Sequence, residues 1–182
     1  AIACASLYIP ICVFKENDID NVVLAFVFAA AIGLVIGIIN AVLISLLQIP
    51  PLIATLGVSS ITQGMLLTFF GTRQISRLPS TIAALNKVYL FTYQSKAGNN
   101  YSMTALILVP IILYIVVYIV LKYTMLGRGI YAIGGDANAA RIAGFNVVRL
   151  QFIVYMFSGV MAGITGMIYC VLNKAANPLN LM

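Results

Sequence analysis

The chain has 182 residues, of which 63% are hydrophobic and 8% are charged, with a formal net charge of +6. Soluble domains carry roughly a quarter charged residues, so this composition excludes an ordinary soluble domain and indicates a polytopic membrane protein. In such a protein Lys and Arg report orientation first, so the positive balance does not indicate nucleic-acid binding. Histidine is absent and the Cys residues show no metal-ligand spacing, so neither a metal site nor a catalytic residue is predicted.

Four apolar segments are long enough to cross a hydrocarbon core of about 30 Å as helices. We predict them at residues 22–47, 52–70, 103–123 and 152–172. The apolar stretch 1–14 is too short to cross, and we interpret it as the end of a span that starts earlier, with more helices expected after residue 182. The prediction is an all-α, polytopic transmembrane helix bundle that forms a single domain over 1–182, truncated at both ends.

Prolines and charges set the boundaries and the orientation. Pro51 suits the first turn of the second span, and Pro110 is expected to kink the third. The acidic segment 15–20 is assigned to the outside, which puts the loop 124–149 inside. This loop carries three Arg and one Asp, as the positive-inside rule expects, although the longer outer loop 71–102 also carries four basic residues.

Small residues recur along the first and last spans at intervals that place them on one face of a helix. They allow helix backbones to approach closely, which is how helices associate in lipid. The first stripe comprises Ala25, Ala29, Gly33, Gly37, Ala41 and Ser45, and the second comprises Ser158, Gly159, Ala162, Gly163 and Gly166. We interpret Gly33, Gly37, Gly159 and Gly163 as helix-packing residues of a compact bundle.

The second span carries a polar face, formed by Thr55, Ser59, Thr62 and Gln63. Uncharged polar groups in a span either bond to neighbouring helices or line a wet path, and both interpretations remain open. Asn40 in the first span either belongs to a helix contact or faces the same path. A pathway without charges would suit a neutral, hydroxyl-rich solute better than an ion.

The inner loop is the most specific part of the sequence. We predict a glycine-rich turn that includes Arg128, Gly134 and Gly135, followed by a short helix. Asp136 is a good N-cap, Ala139, Ala140 and Arg141 continue the helix, and Gly144 ends it. A helix of about two turns is unstable alone and must pack on something. It either docks a partner protein, where Ala140→Trp would block assembly without unfolding the bundle, or lies against the lipid surface.

Two motifs carry a family resemblance. The pattern L-G-R-x-I-Y-A-I-G-G-x-x-x-A-A-R-x-x-G over residues 126–144 and the pattern I-P-P-x-I-A-T-L-G over residues 49–57 resemble permease subunits of bacterial ABC importers for ribose, galactose and related simple sugars. The similarity extends from about Gly33 to Gly166. The chain departs from the family pattern at Asp136, where Asn is common, and at Phe145, where an aliphatic residue is usual.

The resemblance implies a subunit of the bacterial inner membrane whose inner-loop helix is the coupling helix, seated on an ATP-binding ABC subunit. A periplasmic or lipid-anchored sugar-binding protein would deliver the solute, and a second permease subunit would complete a homo- or heterodimer surrounded by membrane lipid. ATP and Mg would bind the partner ATPase, because this chain has no G-x-x-x-x-G-K-[ST] loop and needs no cofactor of its own. The alternatives are a branched-chain amino-acid ABC permease and an ion-coupled secondary transporter.

Overall fold

The computed structural model describes residues 22–71, 89–94 and 100–173. The expected partial span 1–14, the acidic segment 15–20, most of the loop 71–102 and the tail after residue 173 lie outside the described residues.

The described chain is a set of helices with one small hairpin. Its elements are α1 (Val22–Ser45), α2 (Pro51–Phe70), β1 (Tyr89–Gln94), β2 (Asn100–Thr104), a single 3-10 turn (Ala105–Ile107), α3 (Leu108–Tyr123), α4 (Met125–Gly135), α5 (Ala137–Ile142) and α6 (Val147–Asn173). Four stretches are long and apolar enough to cross a membrane: Val23–Ser45, Pro51–Phe69, Ala105–Tyr123 and Val147–Asn173. The expected polytopic helix bundle is confirmed, and the antiparallel hairpin of β1 and β2 lies in the connection between the second and third of these stretches.

Two helix ends differ from the prediction for local reasons. Helix α6 begins at Val147 and not at residue 152, because the Asn146 side chain accepts a hydrogen bond from the backbone N–H of Arg149 at 3.1 Å. Arg149 therefore lies in the first turn of a helix and not in a loop. Helix α1 ends at Ser45, and Gln48 follows in the left-handed region with φ of 53°.

The two prolines occupy helix starts. Pro51 is the first residue of α2, as predicted, where its missing N–H breaks no helical bond. Pro110 is the third residue of α3. Its missing N–H therefore breaks no hydrogen bond within α3, and the kink at Pro110 stays a prediction.

Helices α1 and α6 form the closest packed pair of the described chain, and they run antiparallel. A Cβ atom added to Gly37 would lie 3.1 Å from Cα of Gly159, and one added to Gly163 would meet the Ala29 carbonyl. The small-residue stripes thus bring the two backbones into direct contact, as close approach in lipid requires. At one end of this pair, a buried apolar cluster adds side chains from the 3-10 turn and from both helices: Ala25, Ala29, Leu106, Met167 and Val171.

Candidate functional site

The glycine-rich segment before Asp136 is helical, so its prediction as a turn was wrong. It forms α4. Thr124 is the N-cap residue of this helix, and its side-chain oxygen accepts a hydrogen bond from the N–H of Gly127 at 3.3 Å. Gly127 and Gly129 are buried because their missing side chains leave room for neighbours. A Cβ atom on Gly127 would overlap the Leu121 backbone, and one on Gly129 would lie 2.7 Å from Cδ1 of Leu150. Tertiary contact thereby outweighs the low helix propensity of glycine.

Helix α5 has the two ends that the sequence indicates. Asp136 Oδ1 accepts hydrogen bonds from the N–H groups of Asn138 at 2.8 Å and Ala139 at 3.3 Å. Gly144 ends the helical segment with φ of +88°, a backbone conformation that residues other than glycine rarely adopt. After it, the N–H of Phe145 donates back to the Ala140 carbonyl at 3.0 Å. The short helix is therefore fixed at both ends by its own local hydrogen bonds.

The two sides of α5 have opposite environments. Ala140 is 2% exposed and Ile142 is 88% exposed. Because successive helical residues are rotated by about 100°, side chains two positions apart point in nearly opposite directions. Ala140 therefore belongs to the side that packs on its own bundle, which does not fit the expectation that Ala140→Trp leaves the bundle intact. Sequence reasoning missed Ile142, the one large apolar side chain between Asp136 and Gly144.

The other predicted docking residues are accessible. Those exposed at the surface are Arg128, Gly134, Gly135, Asp136, Ala139, Arg141 and Gly144. The Arg128 guanidinium donates to the Met125 sulfur at 3.1 Å. A surface cavity of about 410 Å³ opens between α5 and the start of α6, lined by Arg141, Phe145 and Asn146 among others. The loop thus presents two cations and a short helix on one continuous stretch of chain.

The polar residues of α2 are half-buried and lie along the edge of the side that faces α1. Three of their hydroxyls donate to carbonyls of their own helix: Thr55 to Pro51 at 2.8 Å, Ser59 to Leu56 at 2.8 Å and Thr62 to Val58 at 2.7 Å. Each hydroxyl proton is therefore engaged, while the oxygen keeps a lone pair for another donor. Gln63 extends the same polar face.

The groove between α1 and α2 is mainly apolar. It has a volume of about 390 Å³, and Thr62 is the one polar residue among the side chains that line it. Asn40 does not line this groove. It is 4% exposed, next to Ala41 on the stripe that packs on α6, and its Oδ1 atom has no hydrogen-bond partner among the described residues. The structure therefore brings Thr62 to the groove and leaves Asn40 buried outside it.

The spanning helices, packed through glycines, define a multi-pass membrane protein. The connection before α6 adds an ordered short helix, α5, capped at both ends. The model of the family described as "Branched-chain amino acid transport system / permease component" matches residues 2–181. The chain belongs to this family of transport permeases.

Curated relatives agree with this assignment. The galactose/methyl galactoside import permease protein MglC of Escherichia coli (strain K12) is 30% identical over 159 residues, which is 86% of this chain and 46% of that protein. The same-named protein of Salmonella typhimurium is 28% identical over 159 residues, with the same coverage of 86% and 46%. The autoinducer 2 import system permease protein LsrC of Yersinia pestis (strain Pestoides F) is 29% identical over 142 residues, or 78% of this chain and 38% of that protein. The chain spans half or less of the length of the curated relatives it matches. No solved structure matches it significantly.

Proposed function

We propose that the chain is the membrane-spanning part of a permease subunit in an ATP-driven ABC importer, and that its solute is a simple sugar such as ribose or galactose. The observation that carries the proposal is α5, a helix fixed by Asp136 and Gly144 in the loop between two spanning helices. An element of that kind suits the transmission of force from a soluble subunit. The names of the galactose and methyl galactoside relatives support the choice of solute.

The proposal assigns roles to parts outside this chain. An ATP-binding subunit carries ATP and Mg and hydrolyses the nucleotide, so this chain needs no catalytic residue or cofactor. A periplasmic or lipid-anchored binding protein delivers the sugar on the outer side, and a second permease subunit, identical or related, completes the pathway. The complex lies in the bacterial inner membrane, with α4 and α5 on the cytoplasmic side.

The proposed pathway follows the polar face of α2. Thr55, Ser59, Thr62 and Gln63 carry no charge, and a neutral solute with many hydroxyl groups can exchange hydrogen bonds with such groups as it passes. The apolar walls next to Thr62 suit the C–H faces of a sugar ring. Asn40 is a weaker pathway candidate, because its side chain is buried and does not line the groove.

A branched-chain amino-acid permease is the second candidate, and the description of the matching family favours it. Its zwitterionic solute calls for charges or exposed helix ends in the pathway. Among the described residues, the stretches Val23–Ser45 and Pro51–Phe69 contain no Asp, Glu, Lys or Arg. This absence of charge favours the sugar over the amino acid.

The test is ATP hydrolysis in proteoliposomes that hold the full-length permease, its ATP-binding subunit and its binding protein. Stimulation by ribose or galactose, with entry of the labelled sugar, is the expected result. Stimulation by leucine alone would move the protein to the amino-acid branch. Failure of the ATP-binding subunit to associate would contradict the ABC assignment and favour an ion-driven carrier.

A further inference from the structure

Helix α3, the main part of the spanning stretch Ala105–Tyr123, has little cover from the rest of the described chain. At its N-terminal end, Leu106 of the preceding 3-10 turn joins the buried cluster that α1 and α6 form. At its C-terminal end, Leu121 lies against Gly127 of α4. Between these two attachments no residue of α3 is buried. The middle of the helix therefore presents its side chains to something outside the described part of the chain.

The polar groups of α3 lie on one side of the helix. Tyr114, Tyr118 and Lys122 are spaced four residues apart, so they follow one another along a single face, and all three are exposed. Apart from Tyr123 at the end, every other residue of α3 is Leu, Ile, Val or Pro. The helix thus has one polar stripe and is otherwise apolar.

Tyr114 is the member of this stripe that lies deepest in the membrane. It is the tenth of the 19 residues of the stretch Ala105–Tyr123. At 1.5 Å per residue it lies about 13 Å from either end, farther than a tyrosine side chain reaches. Tyr114 is 72% exposed, and its hydroxyl has no hydrogen-bond partner among the described residues. A hydroxyl without a hydrogen bond is strongly unfavourable in hydrocarbon, so lipid does not suit this face.

A closely packed helix does not suit this face either. Helices α1 and α6 associate through glycines, which allow their backbones to touch. Helix α3 contains no Gly, Ala, Ser or Thr, and its side chains are all bulky. It therefore lacks the small residues through which the other spanning helices approach each other. A face that is polar and has no small residues is typical of a helix beside a wet path.

Lys122 keeps its positive charge at the end of the span. Its Nζ atom donates to the Tyr118 hydroxyl at 2.8 Å and lies 5.2 Å from the centre of the Tyr118 ring and 5.6 Å from that of Tyr123. Aromatic rings at this distance stabilise a cation. The Tyr118 oxygen accepts the hydrogen bond, and its own proton stays available to an acceptor. Between Tyr114 and Tyr118 the stripe therefore offers rings and hydroxyl groups but no charge.

We propose that Tyr114 and Tyr118 contact the transported solute in the middle of the membrane, and that this solute is a neutral sugar. A tyrosine combines an apolar ring, on which the C–H face of a sugar can pack, with a hydroxyl that both donates and accepts hydrogen bonds. This inference rests on the proposed function, and it adds a second wall to the pathway that the polar face of α2 begins. The wall supplies aromatic contact, which the hydroxyls of α2 do not.

The first experiment measures whether water and sugar reach this face. The full-length permease is reconstituted in proteoliposomes with its ATP-binding subunit and binding protein, with Cys170 replaced by Ala and its other cysteines by Ser. Tyr114→Cys is compared with Val116→Cys, because Val116 is exposed but points to nearly the opposite side of α3. A water-soluble methanethiosulfonate should react at least about tenfold faster at Tyr114→Cys, since the reaction needs a thiolate in water. Galactose or ribose, added with the binding protein, should slow that reaction.

The second experiment removes one hydroxyl and keeps the ring. Tyr114→Phe is compared with Tyr123→Phe, because Tyr123 is equally exposed, at 70%, but lies at the end of the span. Uptake of the labelled sugar should fall about threefold to tenfold in Tyr114→Phe, as expected for the loss of one hydrogen bond, and hardly change in Tyr123→Phe. Thermal unfolding of the permease should be the same in both variants and in the unmodified protein.

The outcomes separate this inference from the proposed function. If the unmodified assembly takes up sugar but Tyr114→Cys does not react, lipid or another helix covers this face, and the inference is overturned while the proposed function stands. A reaction that sugar does not slow would also overturn it, because the face would be wet but away from the solute. Normal uptake by Tyr114→Phe with a lowered unfolding temperature would assign the hydroxyl to a helix contact instead. If the unmodified assembly takes up no sugar, the proposed function fails first and the inference falls with it.

Discussion

The backbones of Gly33 and Gly159 touch across the interface of α1 and α6, and a Cβ atom added to either glycine would overlap the carbonyl oxygen of the other. The contact is reciprocal and involves main-chain atoms, which cannot move aside as a flexible side chain can. Any side chain added at either glycine therefore forces the two backbones apart.

Gly33→Ala should therefore destabilise the protein by about 1–3 kcal/mol, the range of an overpacked site, although alanine is the better helix former. The matched control is Gly57→Ala, because a Cβ atom there has no neighbour within 4 Å. It should be neutral or stabilising by up to about 1 kcal/mol. Unfolding in SDS titrations of the purified permease measures both, and equal effects of the two variants would contradict the packing assignment.

The cap of α5 gives a second prediction. Asp136→Ala removes the side chain that accepts from the N–H groups of Asn138 and Ala139, and should destabilise the local helix by about 1 kcal/mol. Asp136→Asn keeps an accepting oxygen and should retain most of the stability. Amide hydrogen exchange of residues 137–142 is the measurement, with faster exchange expected in the alanine variant alone. Unchanged exchange in Asp136→Ala would show that packing, not capping, orders the helix.

Gln63 and Thr62 are expected to differ in transport. The Thr62 hydroxyl already donates to the Val58 carbonyl, so Thr62→Val removes only an acceptor from the proposed pathway. Gln63→Leu removes two donors and an acceptor. Uptake of labelled sugar should fall at least about tenfold in Gln63→Leu, because the sugar loses a hydrogen-bond partner in the pathway. The decrease should be smaller in Thr62→Val.

Expression and subunit assembly are the controls for that comparison. Both variants should assemble with the ATP-binding subunit as the unmodified permease does. Normal uptake by Gln63→Leu would remove this face of α2 from the pathway.

The link between α1 and α2 supplies a fourth prediction. Gln48 holds φ of 53°, which costs a residue with a side chain about 1–2 kcal/mol, and the N–H of Ile49 bonds across it to the Leu43 carbonyl at 3.2 Å. Gln48→Gly should relieve this strain and stabilise the protein by up to about 1 kcal/mol. Thermal unfolding in detergent gives the measure. Gln48→Ala, which keeps the strain, is the comparison, and an equal gain in both variants would show that the side chain and not the backbone was responsible.

Local signals made part of this structure predictable from sequence. The stripes containing Gly33 and Gly159 indicate their packing because small residues at helical intervals have few other uses in a span. Asp136 and Gly144 indicate the ends of α5 because capping depends on a few neighbouring residues. The capping information lies within one or two helical turns and each stripe lies within a single helix, where sequence spacing determines spatial distance.

The errors concern contacts with distant residues. Gly127 and Gly129 lie in a segment that the sequence predicts as a turn. In the structure, Leu121 occupies the space beside Gly127 and Leu150 the space beside Gly129, and the segment is helical. The opposite exposures of Ala140 and Ile142 depend on which side of α5 rests on the bundle, and a six-residue helix has too few positions to show a hydrophobic face. For Asn40, no local pattern shows that its side chain is buried outside the groove.

The contact between Gly129 and Leu150 has a mechanical consequence. Leu150 is the fourth residue of α6, and its side chain lies directly on the Gly129 backbone, so α4 and α6 meet there. Farther along, α6 is held against α1 by the glycine pairs, with no flexible side chains between the backbones. We therefore expect a displacement of α4 to move α6 and α1 together, as one rigid pair of spanning helices.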